Sequence, residues 1–169
     1  MRRLLIYPIL LFFTALPATA SWEIGADLRC LDSIFLGATR IDMEVAYRWD
    51  AVRVSIPLRF SSSRTHELMF AETGVDVSVY PFDDYGFFIG VSMIHIGAAW
   101  GLEAPKEHVI ISSSVMAGWT FTFPWFYLEP RISVLDVFSQ EEARLELLSE
   151  AVPQYSKIRL SLVAGVAIP

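Results

Sequence analysis

The amino-acid sequence predicts an all-β fold: an eight-stranded antiparallel up-and-down transmembrane β-barrel, with a short helix in its last long connection. Three observations lead there. Apolar and polar residues alternate over eight separate stretches of about 9–12 residues, and period two is the spacing at which strand side chains point to opposite faces. The connections between these stretches are alternately long and short. The chain is 54 % hydrophobic, with a mean hydropathy of +0.45. Yet beyond its N-terminus it has no run of about 18 apolar residues that would cross a membrane as a helix.

Residues 1–20 read as a cleaved signal peptide, with Arg2 and Arg3, an apolar run from Leu4 to Leu16 and the small-residue site Ala18-Thr19-Ala20. Residues 21–169 then form one domain. Loss of Arg2 and Arg3 takes the formal charge from −6 to −8, because the segment contains no acid. An acidic chain without a basic cluster gives no reason to expect nucleic acid. Cys30 is the single cysteine, so neither an internal disulfide nor a cysteine-based metal cluster is available.

The clearest alternation is the hairpin Ile41–Phe60. Ile41, Met43, Val45, Tyr47 and Trp49 oppose Asp42, Glu44, Ala46 and Arg48. After Asp50 the pattern restarts, with Val52, Val54, Ile56, Leu58 and Phe60 against Arg53, Ser55, Pro57 and Arg59. The first strand spans about Trp22 to Cys30 and sets Glu23, Asp27 and Arg29 on its polar face. A linker from Leu31 to Arg40 precedes the hairpin, and the polar loop Ser61–His66 follows it. Strand four ends near Tyr80, with Glu72, Gly74, Asp76 and Ser78 opposite Val75, Val77 and Val79.

Strand five, about Gly86 to Ala99, loses its regularity from Ile94 to Ile96, which predicts a β-bulge. Strand six spans about Val109 to Phe121. Strand seven sets Tyr127, Glu129, Arg131 and Ser133 against Phe126, Leu128, Ile132 and Val134. The last strand covers about Lys157 to Ile168 and puts Arg159 on its polar face. Between strands seven and eight, Ser139 and Glu142 form a capping-box pattern at the start of a run of helix formers. The reading is a helix from about Gln140 to Glu150, either a lid packing Leu145 and Leu148 on the rim or a partner-binding element.

Alternation by itself allows a soluble barrel, greasy inside, or a membrane barrel, greasy outside. Four features favour the second. Connections one, three, five and seven are the long ones, as in barrels with short periplasmic turns and longer external loops. Aromatic residues collect at the short-turn end, where Trp22, Tyr47, Trp49, Tyr80, Phe82, Trp119, Phe121, Trp125 and Phe126 suit a membrane-interface girdle, with a sparser set (Phe35, Phe60, Phe70, Trp100 and Phe138) near the other rim. The polar face pairs Glu23, Asp27, Asp42, Glu44, Glu72, Asp76 and Glu129 with Arg29, Arg48, Arg53, Arg59, Arg131 and Arg159. The only lysines are Lys106 and Lys157, and arginine is the residue of buried bidentate carboxylate pairs. Many small residues share that face, leaving room for long side chains in a narrow lumen.

With these features the mature chain resembles the small eight-stranded bacterial outer-membrane proteins, the class typified by the OmpA transmembrane domain, OmpX and OmpW. It departs from that class in ending Val166-Ala167-Ile168-Pro169 rather than in an aromatic residue. The resemblance implies export to the periplasm, insertion by the barrel-assembly machinery and residence in outer-membrane lipid, with loops available to extracellular ligands or host proteins.

No catalytic, cofactor or metal site is expected. His66, His95 and His108 are the only histidines, and neither a Ser-His-acid pattern nor spaced metal ligands are present. The leading reading is a non-enzymatic barrel with a charge-filled, closed lumen acting through its external loops. The alternatives are a narrow channel for small or apolar solutes, as in OmpW-like proteins, and a secreted lipocalin-like binding protein.

Overall fold

The structure, a computed structural model, describes residues 20–32, 38–63, 67–82, 85–101, 109–137, 149 and 156–168. The strands are β1 (Ser21–Asp27), β2 (Ala38–Trp49), β3 (Val52–Ser63), β4 (Leu68–Val79), β5 (Phe87–Gly101), β6 (Val109–Trp119), β7 (Phe121–Thr122), β8 (Tyr127–Leu135) and β9 (Ile158–Ile168), with a 3-10 turn at Leu28–Asp32. They form one antiparallel sheet in the order β6-β5-β4-β3-β2-β1-β9-β8-β7. A further pairing of β6 with β8 closes it. The two-residue β7 continues β6 beyond Thr120, so the wall has eight staves, in up-and-down order. No helix among the described residues is long and apolar enough to cross a membrane.

The opening hairpin sets the register. Trp49 pairs with Val52, Ile41 with Phe60 and Ala38 with Ser63, around Asp50, whose φ of 51° places it in the left-handed region that Asp tolerates in turns. On β3, Val54 (40 %), Ile56 (49 %) and Leu58 (52 %) are exposed on the outside, while Arg53 and Ser55 are buried inside. Every other long strand repeats this arrangement, so the barrel is apolar outside and polar inside. The reason is geometric. A cylinder of eight strands has a narrow interior, and charged side chains buried there can satisfy one another, whereas charges on opposite outer faces could not.

The expected bulge in β5 is present. The register shifts between Ser92 and His95 against β6, and between Val75 and Asp76 where β4 meets β5. Met93 and Ile94 both face outward, and the extra residue turns His95 inward.

Several boundaries differ from the sequence reading. The first strand stops at Asp27 rather than Cys30. The Asp27 carboxylate accepts hydrogen bonds from the Arg29 N–H (3.0 Å) and the Leu162 N–H (3.2 Å), taking over from the backbone ladder and turning the chain into the 3-10 turn. Arg40 belongs to β2 and not to a linker. Ser61–Ser63 extend β3, because they pair with Ala38–Arg40, and pairing overrides their loop-like composition. Strand six is interrupted at Thr120. The predicted signal peptide, apart from Ala20, and the predicted Gln140–Glu150 helix, apart from Ser149, lie outside the described residues, as do Phe35 and Phe138.

Glycines make room for the largest interior rings. A Cβ on Gly165 would meet the Tyr127 ring, and one on Gly97 would meet Phe70. The Gly165→Val variant should therefore lose about 1–3 kcal/mol, as overpacked cores do. Ala164→Val, one residue away on the outer face, should stay within about 0.5 kcal/mol. Denaturant unfolding of the refolded chains measures both, and equal midpoints would contradict the placement of Tyr127.

Candidate functional site: the charged interior

The chemistry of this chain is concentrated inside the barrel, in two clusters of ion pairs. The first lies towards the short turns. Glu23 on β1 receives Arg48 Nε at Oε1 and Arg53 Nε at Oε2, both at 2.6 Å. Arg53 also donates through Nη2 to Glu44. Arg131 on β8 binds Glu44 with both terminal nitrogens, at 2.6 and 2.7 Å, and donates through Nε to Glu129. Three carboxylates thus meet three guanidiniums, and β1, β2, β3 and β8 are tied together across the lumen. Glu23, Glu129 and Arg53 are at most 1 % exposed.

Hydroxyl groups complete this cluster. The Thr120 hydroxyl donates to Glu129 Oε2 at 2.7 Å. Tyr80 accepts from Arg48 Nη2 at 2.9 Å and lies 3.2 Å from the Thr120 hydroxyl. The Arg48 guanidinium also lies over the rings of Tyr80 and Tyr85, at 4.1 and 4.3 Å. Tyr127 sits 3.4 Å from Arg53.

The second cluster occupies the half towards the long connections. Arg40 bridges Asp27 (3.1 Å) and Asp42 (3.2 Å). Arg59 reaches Asp42 (3.4 Å) and Glu72 (2.6 Å), and Arg159 lies 3.9 Å from Glu72. His95 stands between Glu72, 2.6 Å from Nδ1, and Asp76, 2.7 Å from Nε2. Ser92 donates to Asp76 at 2.6 Å and lies 2.7 Å from the Ser114 hydroxyl. The order is serine–acid–histidine, with hydroxyl and ring both on Asp76 Oδ1. A hydrolytic triad requires the ring to stand between the hydroxyl and the acid.

Apolar side chains flank the charges at both ends. Leu68, Phe70, Ala99, Ile110 and Leu135 are the buried inward residues of β4, β5, β6 and β8 nearest the long connections. Tyr80, Phe88 and Met116 form a buried group near the short turns.

Of the charged residues expected on the interior face, Glu23, Asp27, Asp42, Glu44, Arg48, Arg53, Glu72, Asp76, Glu129, Arg131 and Arg159 are buried and Arg59 is half-buried there. Arg29 is not among them. It sits on the half-exposed 3-10 turn, and its guanidinium donates to the Leu160 carbonyl. Arg40 takes its place, and His95 joins the network. Both were legible in parity. Arg40 shares the face of Asp42 and Glu44, and the run Met93-Ile94-His95-Ile96 makes chemical sense only if a bulge turns the histidine inward.

The aromatic set divides in the same way. Trp22, Trp49, Phe82, Trp119, Phe121, Trp125 and Phe126 are exposed and Tyr47 is half-buried, all at the short-turn end. Phe82 (79 %) and Trp125 (86 %) project furthest. Tyr80 was expected with them and is instead buried inside, because it continues the inward parity of Asp76 and Ser78. Phe70 is buried inside for the same reason.

Compared with known proteins, the chain matches no protein-family model and no curated protein. Among solved structures it is similar to the crystal structure of Neisserial surface protein A. The identity is 10 % and the TM-score 0.46, over 88 % of this chain and 94 % of that one. The fold itself rests on the strand pairing above. This chain is a closed, eight-stranded, antiparallel barrel.

Replacing Arg53 by Met should cost about 3–5 kcal/mol, because Glu23 and Glu44 would remain buried without it. Arg131→Met should act similarly through Glu44 and Glu129. Tyr80→Phe, which removes one hydroxyl from the same cluster, should cost about 1 kcal/mol. Denaturant unfolding measures all three, and unchanged midpoints in both arginine variants would refute the network as a source of stability.

Proposed function

We propose that this protein is an integral outer-membrane barrel with a closed lumen, a non-enzymatic structural or surface-interaction protein that acts through its external loops. One observation carries the reading. The outward residues are predominantly apolar on every long strand from β1 to β9, while the charges are packed inside. A soluble barrel would expose an apolar surface far larger than the few hundred Å² tolerated on monomers. Lipid is the solvent in which that surface is at equilibrium, and a closed barrel is the one sheet that leaves no unpaired backbone edge there.

Two further features support this orientation. The two longest gaps between strands, 28–37 and 136–157, lie at one end of the barrel, and the exposed aromatics gather at the other, where a periplasmic interface would lie. The long connections then face outward from the cell, and variation in those segments would set the ligand or host protein contacted. Insertion by the barrel-assembly machinery belongs to the same proposal.

The paired interior favours a plug over a channel. Six of the seven described inward carboxylates pair with the six inward guanidiniums, the seventh, Asp76, pairs with His95, and apolar residues flank them. The refolded chain from Ser21 should give a strand-rich circular dichroism spectrum and a heat-dependent gel shift in detergent micelles but not in plain buffer. Liposomes carrying it should be no more permeable to small sugars than empty ones. A monomer folded in plain buffer would overturn the membrane reading and favour a lipocalin-like carrier. Solute flux would favour the channel.

A further inference from the structure

The interior strand positions carry one more carboxylate than guanidinium. Among the described strand residues, Glu23, Glu44 and Glu129 are matched by Arg48, Arg53 and Arg131, and Asp27, Asp42 and Glu72 by Arg40, Arg59 and Arg159. Asp76 pairs instead with His95, which is 2 % exposed.

We propose that His95 is a proton-operated latch: with a proton on each ring nitrogen it clasps Glu72 and Asp76 together, and loss of one proton releases the loop-side half of the interior. The distances require two donors. Nδ1 lies 2.6 Å from Glu72 Oε1 and Nε2 lies 2.7 Å from Asp76 Oδ1, and a carboxylate oxygen at such range accepts a proton. Arg59 Nη1 is 3.2 Å from Nδ1 and could donate to a neutral ring. In that state, however, the Nδ1 lone pair would face the Glu72 oxygen at the shorter distance.

Asp76 is the second carboxylate that the ring serves. It is 1 % exposed, and among the described residues His95 is its one partner within salt-bridge distance and its Oδ2 has no hydrogen-bond partner. A neutral ring keeps one donor: with the proton on Nε2 it holds Asp76 and turns a lone pair on Glu72, and with the proton on Nδ1 it holds Glu72 and leaves Asp76 to the Ser92 hydroxyl, so either tautomer releases one of the two carboxylates. Glu72 in turn connects the latch to Arg59 on β3 and Arg159 on β9, so one proton on β5 bears on pairs that cross the lumen.

The groups around the ring come from every neighbouring stave. They are Glu72 and Asp76 on β4, Arg59 on β3, Ser92 on β5 itself, and Ser112 and Ser114 on β6, with Arg159 of β9 behind Glu72. The position is shaped for the imidazole. A Cβ on Gly74 would collide with the His95 ring, so the glycine vacates the space that the ring fills.

The test uses the full mature chain with His66→Gln and His108→Gln, which leaves His95 as the sole histidine. It is labelled with ¹⁵N-histidine and refolded in whichever medium, micelles or plain buffer, gives the strand-rich spectrum. At pH 7 both ring nitrogens should resonate as protonated. The thermal midpoint should fall as pH rises past the loss of that proton, and His95→Gln should abolish this dependence. A single-proton tautomer at pH 7, or an identical pH profile in His95→Gln, would overturn the latch. If His95→Gln does not fold, the ring resonances alone decide. Folding in plain buffer would count against the membrane reading and leave this readout unaffected, because the latch concerns the interior in either solvent.

Discussion

The structure depends on the neutralisation of charge inside a narrow closed sheet. An isolated carboxylate or guanidinium cannot be buried without several kcal/mol of cost. This chain buries many, and it does so because most of them meet a partner delivered by another strand. Glu23 of β1 needs Arg48 of β2 and Arg53 of β3, Glu44 of β2 needs Arg131 of β8, and Glu129 of β8 needs Arg131 and Thr120. Closure and register are therefore coupled to the charges. A one-residue slip would reverse every face and send these groups outward. Buried ion networks add little stability over an apolar core of equal volume, but this one permits very few alternative pairings.

The small inward residues belong to the same design. Gly165 and Gly97 admit Tyr127 and Phe70, and Gly74 admits His95. Long charged or aromatic side chains thus lie opposite bare backbone, and a lumen too narrow for uniform filling is packed by alternating large and absent side chains. The outside needs no such matching. Its Val, Ile and Leu residues meet a solvent and not a partner, so they vary in size along each strand without pattern.

Much of this was legible in the sequence, because period two is unambiguous where one face is charged and the other is not. The Ile41–Phe60 hairpin, its Asp50 turn and most of the ion-pairing residues follow from that alternation. Residues were misplaced where another interaction interrupts it. Asp27 ends β1 with its own carboxylate and thereby removes Arg29 from the interior. The bulge in the blurred run around His95 was legible, but not that it turns the histidine into the interior. Tyr80 was grouped by residue type with the surface aromatics, although its parity with Asp76 and Ser78 places it inside, on Arg48. The Ser61–Ser63 segment looks like loop by composition, and its pairing with Ala38–Arg40 makes it strand. The partner of each charge across the lumen could not be read at all, since it depends on the closure of β6 on β8 and on how the staves are staggered.

The central claim is that the apolar face contacts lipid, and spin labels on the hairpin test it most directly. In a Cys30→Ser background, single cysteines at Val45, Val54, Ile56 and Leu58 would each carry a nitroxide, with a fifth at Ala51 in the turn. After reconstitution into vesicles, the account predicts that the four wall labels relax with oxygen, which concentrates in lipid, and are shielded from a water-soluble metal complex. The Ala51 label should respond to the complex. Wall labels that respond to the water-soluble complex as strongly as Ala51 would contradict the account.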